Sequence, residues 1–171
     1  GVKYYNAQKG TAVEVLGWDS AANDGAFTGN FESTDDGRNF ATNFVQEGAD
    51  IILPVAGPVG LGSAAYCQET KSCLIIGVDA DWFDTAPEYK EVLLTSVLKK
   101  INVAVFDTIK DAQAGTFTGG NVTYTIADGG VDLAPFHELD AQVSAEMKAE
   151  LDAIKKALID GSLTVDGVLA Q

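Results

Sequence analysis

The chain has 171 residues, 46% of them hydrophobic, which is enough to bury one core and far from the composition of a disordered or fibrous protein. Its 25 acidic and 11 basic residues give a net charge of −14, the wrong sign for gripping a nucleic-acid backbone or an anionic membrane surface, so no nucleic-acid partner is expected. The strongest apolar stretches, residues 51–57 and 74–78, fall well short of the roughly 20 residues of a membrane-spanning helix.

Residue 1 is Gly, and residues 1–6 read as the last turns of a helix whose first turns are missing, so the chain is expected to be a fragment. A secretion signal would lie upstream or be removed, and its absence neither shows nor excludes export. Residues 13–18 read as a first strand and residues 26–31 as a short second one. Ser33 then caps a helix with Asp35 and Asp36 in its first turn and Phe40, Ala41, Phe44 and Val45 on its inner face; Gly48 ends it.

Residues 49–55 form a near-continuous apolar run, as expected of a strand covered on both faces. A Gly-rich turn over residues 57–62 leads into a helix of small residues, and residues 74–78 give the next buried strand, ending in Asp79-Ala80-Asp81. Residues 92–98 read as a further strand and 99–114 as a helix. Residues 121–126 alternate like a half-buried strand. The last helix, residues 141–160, carries Val143, Met147, Leu151, Ile154 and Leu158 on one stripe, with Gly161 as its stop. The final ten residues read as weakly structured, with at most a short strand over 163–165. Strands alternating with helices in this way predict an α/β fold, a doubly wound parallel sheet flanked by helices.

In such a sheet, ligands sit outside the carboxyl ends of the strands, so the residues that follow each strand are the ones to inspect. The turn Pro54-Val55-Ala56-Gly57-Pro58-Val59-Gly60 either lets a ligand approach its backbone or serves tight helix–sheet packing. Asp79 and Asp81 point the same way if the chain stays extended. They suit a vicinal diol, as in a ribose, or an acid–base pair in a hydrolase, or simply a solvated loop. Lys99 and Lys100 are either ligand donors or exposed cations at a helix start.

An enzyme lacks parts here. There is one histidine, His137, for which a structural role is the simpler reading, and no nucleophile stands beside an evident base. The Gly-rich turn has neither the Lys-Ser/Thr of a phosphate-binding loop nor dinucleotide spacing, and no cofactor or metal is implied. Asn121-Val122-Thr123 matches a glycosylation sequon of the kind that also arises by chance. Cys67 and Cys73, the two cysteines, are too few for a metal site; they read as a disulfide of an oxidising compartment or as two buried thiols.

Four groups of residues in series carry a resemblance. Val55-Ala56-Gly57 with Gly60-Leu61-Gly62, then Ile76-Gly77-Val78-Asp79-Ala80-Asp81, then Leu94-Thr95-Ser96-Val97-Leu98-Lys99, then Ala127-Asp128-Gly129-Gly130-Val131 with Leu133-Ala134-Pro135-Phe136 resemble the basic membrane protein family of solute-binding lipoproteins. The match looks like that family's C-terminal half. It implies the second lobe of a type I periplasmic-binding-protein fold, residues 1–171 with crossover segments, whose N-terminal lobe is not in this chain. It also implies a nucleoside or other small hydroxylated ligand, a membrane permease of the ATP-binding-cassette class, and an extracytoplasmic, lipid-anchored location. The same fold also serves sugar binders and ligand-sensing regulators. By the resemblance, Asp79 and Lys99 hold ribose hydroxyls, Asp81 stands beside them, and Val55, Gly57 and Gly60 line the pocket. The sequence departs from the family at Pro58-Val59, where Gly-Thr or Gly-Ser is common, and at Trp82, where Gln is common. With no aromatic at the end of the strand before Gly57, Phe31 is the aromatic available to a base. The apolar residues of the helix over 102–114 are expected to pack in the other lobe or to drive self-association.

Overall fold

The computed structural model describes residues 1–165. A four-stranded sheet runs in the order β3 (Ile51–Ile52), β4 (Leu74–Asp79), β5 (Leu93–Lys99) and β6 (Val131–Leu133). The first three strands are parallel and β6 is antiparallel to β5. Helices α2 (Thr34–Gln46) and α3 (Val59–Thr70) pack together beside the sheet, and α4 (Trp82–Thr85) follows β4 directly. Further helices are α1 (Val2–Lys9), α5 (Ile101–Ala114) and α6 (Ala145–Asp160), and a short hairpin of β1 (Trp18–Asp19) and β2 (Asp24–Gly25) lies near the start. The α/β class, with its mostly parallel sheet and flanking helices, is the one expected.

The local signals explain most of these elements. The Ser33 hydroxyl accepts from the Asp36 N–H and opens α2, while Ser144 does the same for α6 through Met147. Helices α2 and α3 meet backbone to backbone. A Cβ on Gly37 would stand 1.9 Å from the Val59 carbonyl oxygen, and one on Gly62 would stand 1.7 Å from that of Thr34. The Ser63 hydroxyl donates across this seam to the Gly37 carbonyl at 2.8 Å. The core gathers Ile52, Ala64, Cys67, Cys73, Ile75, Trp82, Val92 and Leu93 between these helices and the sheet. Cys67 and Cys73 are joined as a disulfide that ties the end of α3 to the start of β4, with Lys71 turning the chain in a left-handed conformation at φ 53°.

Several expected strands are shorter or missing, each for a local reason. Residues 13–17 join no ladder. The Asn6 side chain accepts from the Val13 N–H (2.9 Å) and donates to its carbonyl (2.8 Å), satisfying that backbone outside the sheet. The segment nevertheless lies along the outer side of β3, sharing with Phe44, Ile51 and Leu53 a groove of about 660 Å³. Residues 26–31 are a turn rather than a strand, because Asn30 accepts from the N–H groups of both Glu32 and Ser33. The run over 49–55 pairs only at Ile51–Ile52, since Pro54 has no N–H to give a ladder.

Residues 121–126 also form no strand; the pairing falls later, at Val131–Leu133, where Lys99↔Val131 and Val97↔Leu133 are in register. The last helix starts at Ala145 rather than 141, after a 3-10 turn over His137–Gln142. Residues 163–165 form no strand, and the remainder of the expected weak tail lies outside the described residues. None of the residues of α5 is buried, and Ile101, Val105, Phe106 and Ile109 are more than half exposed.

Candidate functional site at the carboxyl edge of the sheet

Because β3, β4 and β5 are adjacent and parallel, the chain leaves all three at one edge. Three sequence-predicted groups are thereby brought together: the turn after β3, Asp79 at the end of β4 and Lys99 at the end of β5. Asp79 sits opposite Leu98 in the ladder, so Lys99 lies one step beyond it. The Lys99 ammonium donates to Oδ1 of Asp79 at 3.2 Å, and the two side chains are 62% and 56% exposed. A pair this open contributes little to stability. Its chemical content is its spare capacity: the pair uses one carboxylate oxygen and one ammonium N–H, and a carboxylate and an ammonium can make more bonds than that.

Asp79 departs from extended geometry. Its φ is 70°, one of four positive values among the described non-glycine residues. Ala80 then donates its N–H to the Val78 carbonyl at 2.9 Å, and the chain turns sharply. The expected common orientation of Asp79 and Asp81 required an extended chain, so it does not hold. Asp81 instead caps α4, accepting from the Phe83 N–H at 3.0 Å, and its second oxygen takes the Nε2–H of His137 at 2.8 Å. Both of its oxygens are engaged and it is largely covered. His137, expected to be structural, lies flat on Phe83 with ring centroids 4.0 Å apart.

The Gly57–Gly60 turn divides in two. Gly57, at φ 57°, is exposed and lies against the backbone of Phe31, whose carbonyl accepts from the Val59 N–H at 3.3 Å. Phe31 and Val55, 72% and 70% exposed, flank this turn at the surface. Gly60 is a correction: it is buried beneath Trp82 and Pro54, where an added Cβ would stand 2.8 Å from the indole, so it packs rather than lines a pocket. Trp82 fills a slot left open by two glycines, Gly60 and Gly77. It is fixed there by its own N–H to the Ser96 hydroxyl and by Nε1–H to the Val78 carbonyl.

A second polar group escaped the sequence reading. Asp132 on β6 accepts from Lys155 of α6 at 2.8 Å and from Lys100 at 3.2 Å, tying α6 to the start of α5. The Lys155 bond foremost, then the Leu133 N–H and Lys100, hold the Asp132 carboxyl below its usual pKa. Beside this triad lies an apolar groove of about 560 Å³ between α6 and the β5–β6 edge, lined by none of the sequence-predicted site residues. Among the described residues, no group of three or more His, Cys, Asp or Glu side chains is placed to hold a metal ion.

Residues 24–165 match the model of the Bmp family, described as ABC transporter substrate-binding protein PnrA-like. The chain belongs to this family. Its relatives include the CD4+ T-cell-stimulating antigen of Listeria monocytogenes, 30% identical over an alignment of 152 residues that covers 81% of this chain and 42% of that protein. The ABC transporter nucleoside-binding protein BmpA of Lactococcus lactis is likewise 30% identical, over 81% of this chain and 42% of its own length. A lipoprotein of Pyrococcus abyssi is 31% identical over 77% of this chain and 31% of its own. The chain thus spans well under half the length of these relatives.

Among solved structures, a solute-binding protein of an ABC transporter system from Aeropyrum pernix superposes with a TM-score of 0.78 at 25% identity, over 96% of this chain and 50% of that one. A transcriptional activator of the comK gene from Bacillus halodurans shares the fold, with a TM-score of 0.69 at 19% identity, over 80% of this chain and 46% of that one. The family, the solute-binding resemblance and the fold class read from the sequence agree with these findings.

Proposed function

We propose that this chain is the C-terminal lobe of an extracytoplasmic solute-binding protein that delivers a nucleoside to a membrane permease of an ABC importer. The observation that carries the reading is the Asp79–Lys99 pair: two exposed, oppositely charged groups 3.2 Å apart at the ends of adjacent parallel strands. The free oxygen of Asp79 accepts from one or both hydroxyls of a ribose, and Lys99 donates to the ring or hydroxyl oxygens. Phe31, beside Gly57 and Val55, offers a face to a planar base. Binding by complementarity and lobe closure needs neither nucleophile nor cofactor. The Lactococcus relative's description as nucleoside-binding supports the choice of ligand.

On this reading a second lobe supplies the opposite wall of the cleft, in keeping with the 31% to 50% of relatives' length that the chain covers. The exposed apolar residues of α5 pack against it, and in its absence they drive self-association. Relatives described as lipoproteins support a lipid-anchored location for the whole protein. The test is a thermal-shift screen of the full-length protein against nucleosides, free bases and pentoses. A specific ligand raises the midpoint in proportion to RT ln(1 + [L]/Kd). Stabilisation by nucleosides above bases and pentoses supports the reading; stabilisation by none of them overturns it.

A further inference from the structure

We infer that His137 is a positioning residue for the ligand site: by gripping Asp81 it fixes the corner of chain that presents Asp79 beside Lys99. The inference rests on the reading of Asp79 and Lys99 as ligand-contacting groups.

The covalent path from anchor to site is short. Asp79, Ala80 and Asp81 are consecutive, and the turn they make is tight, with φ 70° at Asp79 and the Ala80 N–H folded back on the Val78 carbonyl. A left-handed aspartate persists only where its surroundings hold it. On its upstream side Asp79 is held by the ladder opposite Leu98, while its side chain has a single exposed partner, Lys99, at 3.2 Å. On its downstream side the restraint comes from the residues that follow it. Trp82 is tied inward to Ser96 and Val78, and Asp81 is tied by both carboxylate oxygens, one to the Phe83 N–H and one to His137.

Of these ties, only the one to His137 reaches a distant part of the chain on the far side of β5. A carboxylate only accepts, so the Nε2–H of His137 is the donor in that bond. The ring is further held flat on Phe83, at 9° between planes, so its donor direction is fixed. His137 itself takes a left-handed backbone, φ 43°. Two of the four such non-glycine residues among those described are therefore His137 and Asp79, the latter two residues before the carboxylate that His137 grips. The segment bearing His137 is anchored in its turn by β6, by the ion pair of Glu138 with Lys90 at 2.9 Å, and by the buried Leu139. It provides an attachment point 56 residues away in sequence from the carboxylate it holds.

The structural alternative is that the bond merely stabilises the fold, and a double-mutant cycle separates the two. In the full-length protein, the affinity for inosine is measured by calorimetry for His137→Ala, Asp79→Ala and the double variant. A hydrogen bond to a charged group is worth roughly ten- to a hundredfold in an equilibrium, so His137→Ala is expected to weaken binding by at least about tenfold. With Asp79 already replaced, the same substitution is expected to cost little more, because the group it positions is gone. His137→Gln, whose amide can also donate, is expected to recover most of the loss. The ligand-free readout is amide exchange, in which the Phe83 N–H exchanges faster in His137→Ala than in wild type.

Unchanged affinity in a folded His137→Ala variant, or equal losses with and without Asp79, overturns the positioning role while leaving the ligand site standing. An Asp79→Ala variant that binds inosine as wild type does overturns both.

Discussion

Reducing the Cys67–Cys73 bridge is expected to cost the fold about 2 kcal/mol, the chain-entropy value for a closed loop of roughly seven residues. Reduction is a cleaner perturbation than replacement. Cys67 is fully buried and Cys73 nearly so, and a Cys67→Ala/Cys73→Ala variant would add the cost of lost core volume to the cost of the lost constraint. In reduced protein the two sulfurs still fill the space between α3 and β4. The assay is equilibrium urea unfolding of oxidised and reduced samples at equal concentration. With a slope of about 1–3 kcal/mol per molar urea, the midpoint is expected to fall by about 1 M on reduction. Two reactive thiols in unfolded but unreduced protein, or a midpoint that reduction leaves in place, would refute the reasoning.

Two further outcomes follow from the geometry. Lys155, the Leu133 N–H and Lys100 hold the folded Asp132 carboxyl below its usual pKa, so its contribution is fully present above the unfolded value and is lost as pH falls through the folded one. Asp132→Asn is therefore expected to cost about 1–2 kcal/mol at pH 7 and to flatten the stability profile below about pH 4, as read by acid-dependent urea melts; a profile identical to wild type would contradict this. The isolated chain is expected to self-associate through α5, where Phe106 and Ile109 are 67% and 53% exposed. Sedimentation should show Phe106→Glu to be monomeric where wild type is not, and a monomeric wild-type chain would dispose of that surface.

The sheet's carboxyl edge was legible because it rests on local signals. The apolar run ending at Val78, the cap at Ser33, and the carboxylate and lysine at the ends of β4 and β5 are all visible in short windows of sequence, whereas the start of α6 expected at 141 passes over its Ser144 cap. Periodicity failed where side chains compete for backbone groups. Asn6 takes the N–H and carbonyl of Val13, Asn30 turns residues 28–33, and Pro54 ends β3, so three apolar stretches that pattern as strands pair little or not at all. The roles of Gly60 and Gly77 depended on knowing what lies above them, and that is Trp82, distant from Gly60 in sequence. Asp81 was misjudged because one left-handed residue, Asp79, reverses which way its neighbour points. Its partner His137 is 56 residues on, beyond the reach of any spacing rule.

The most direct test of the central claim is calorimetric titration of the full-length protein with inosine, comparing wild type with Asp79→Ala. Saturable binding in wild type that falls by at least about tenfold in a folded variant lacking the Asp79 carboxylate is the result the geometry predicts. Binding of equal strength in the two proteins would contradict it.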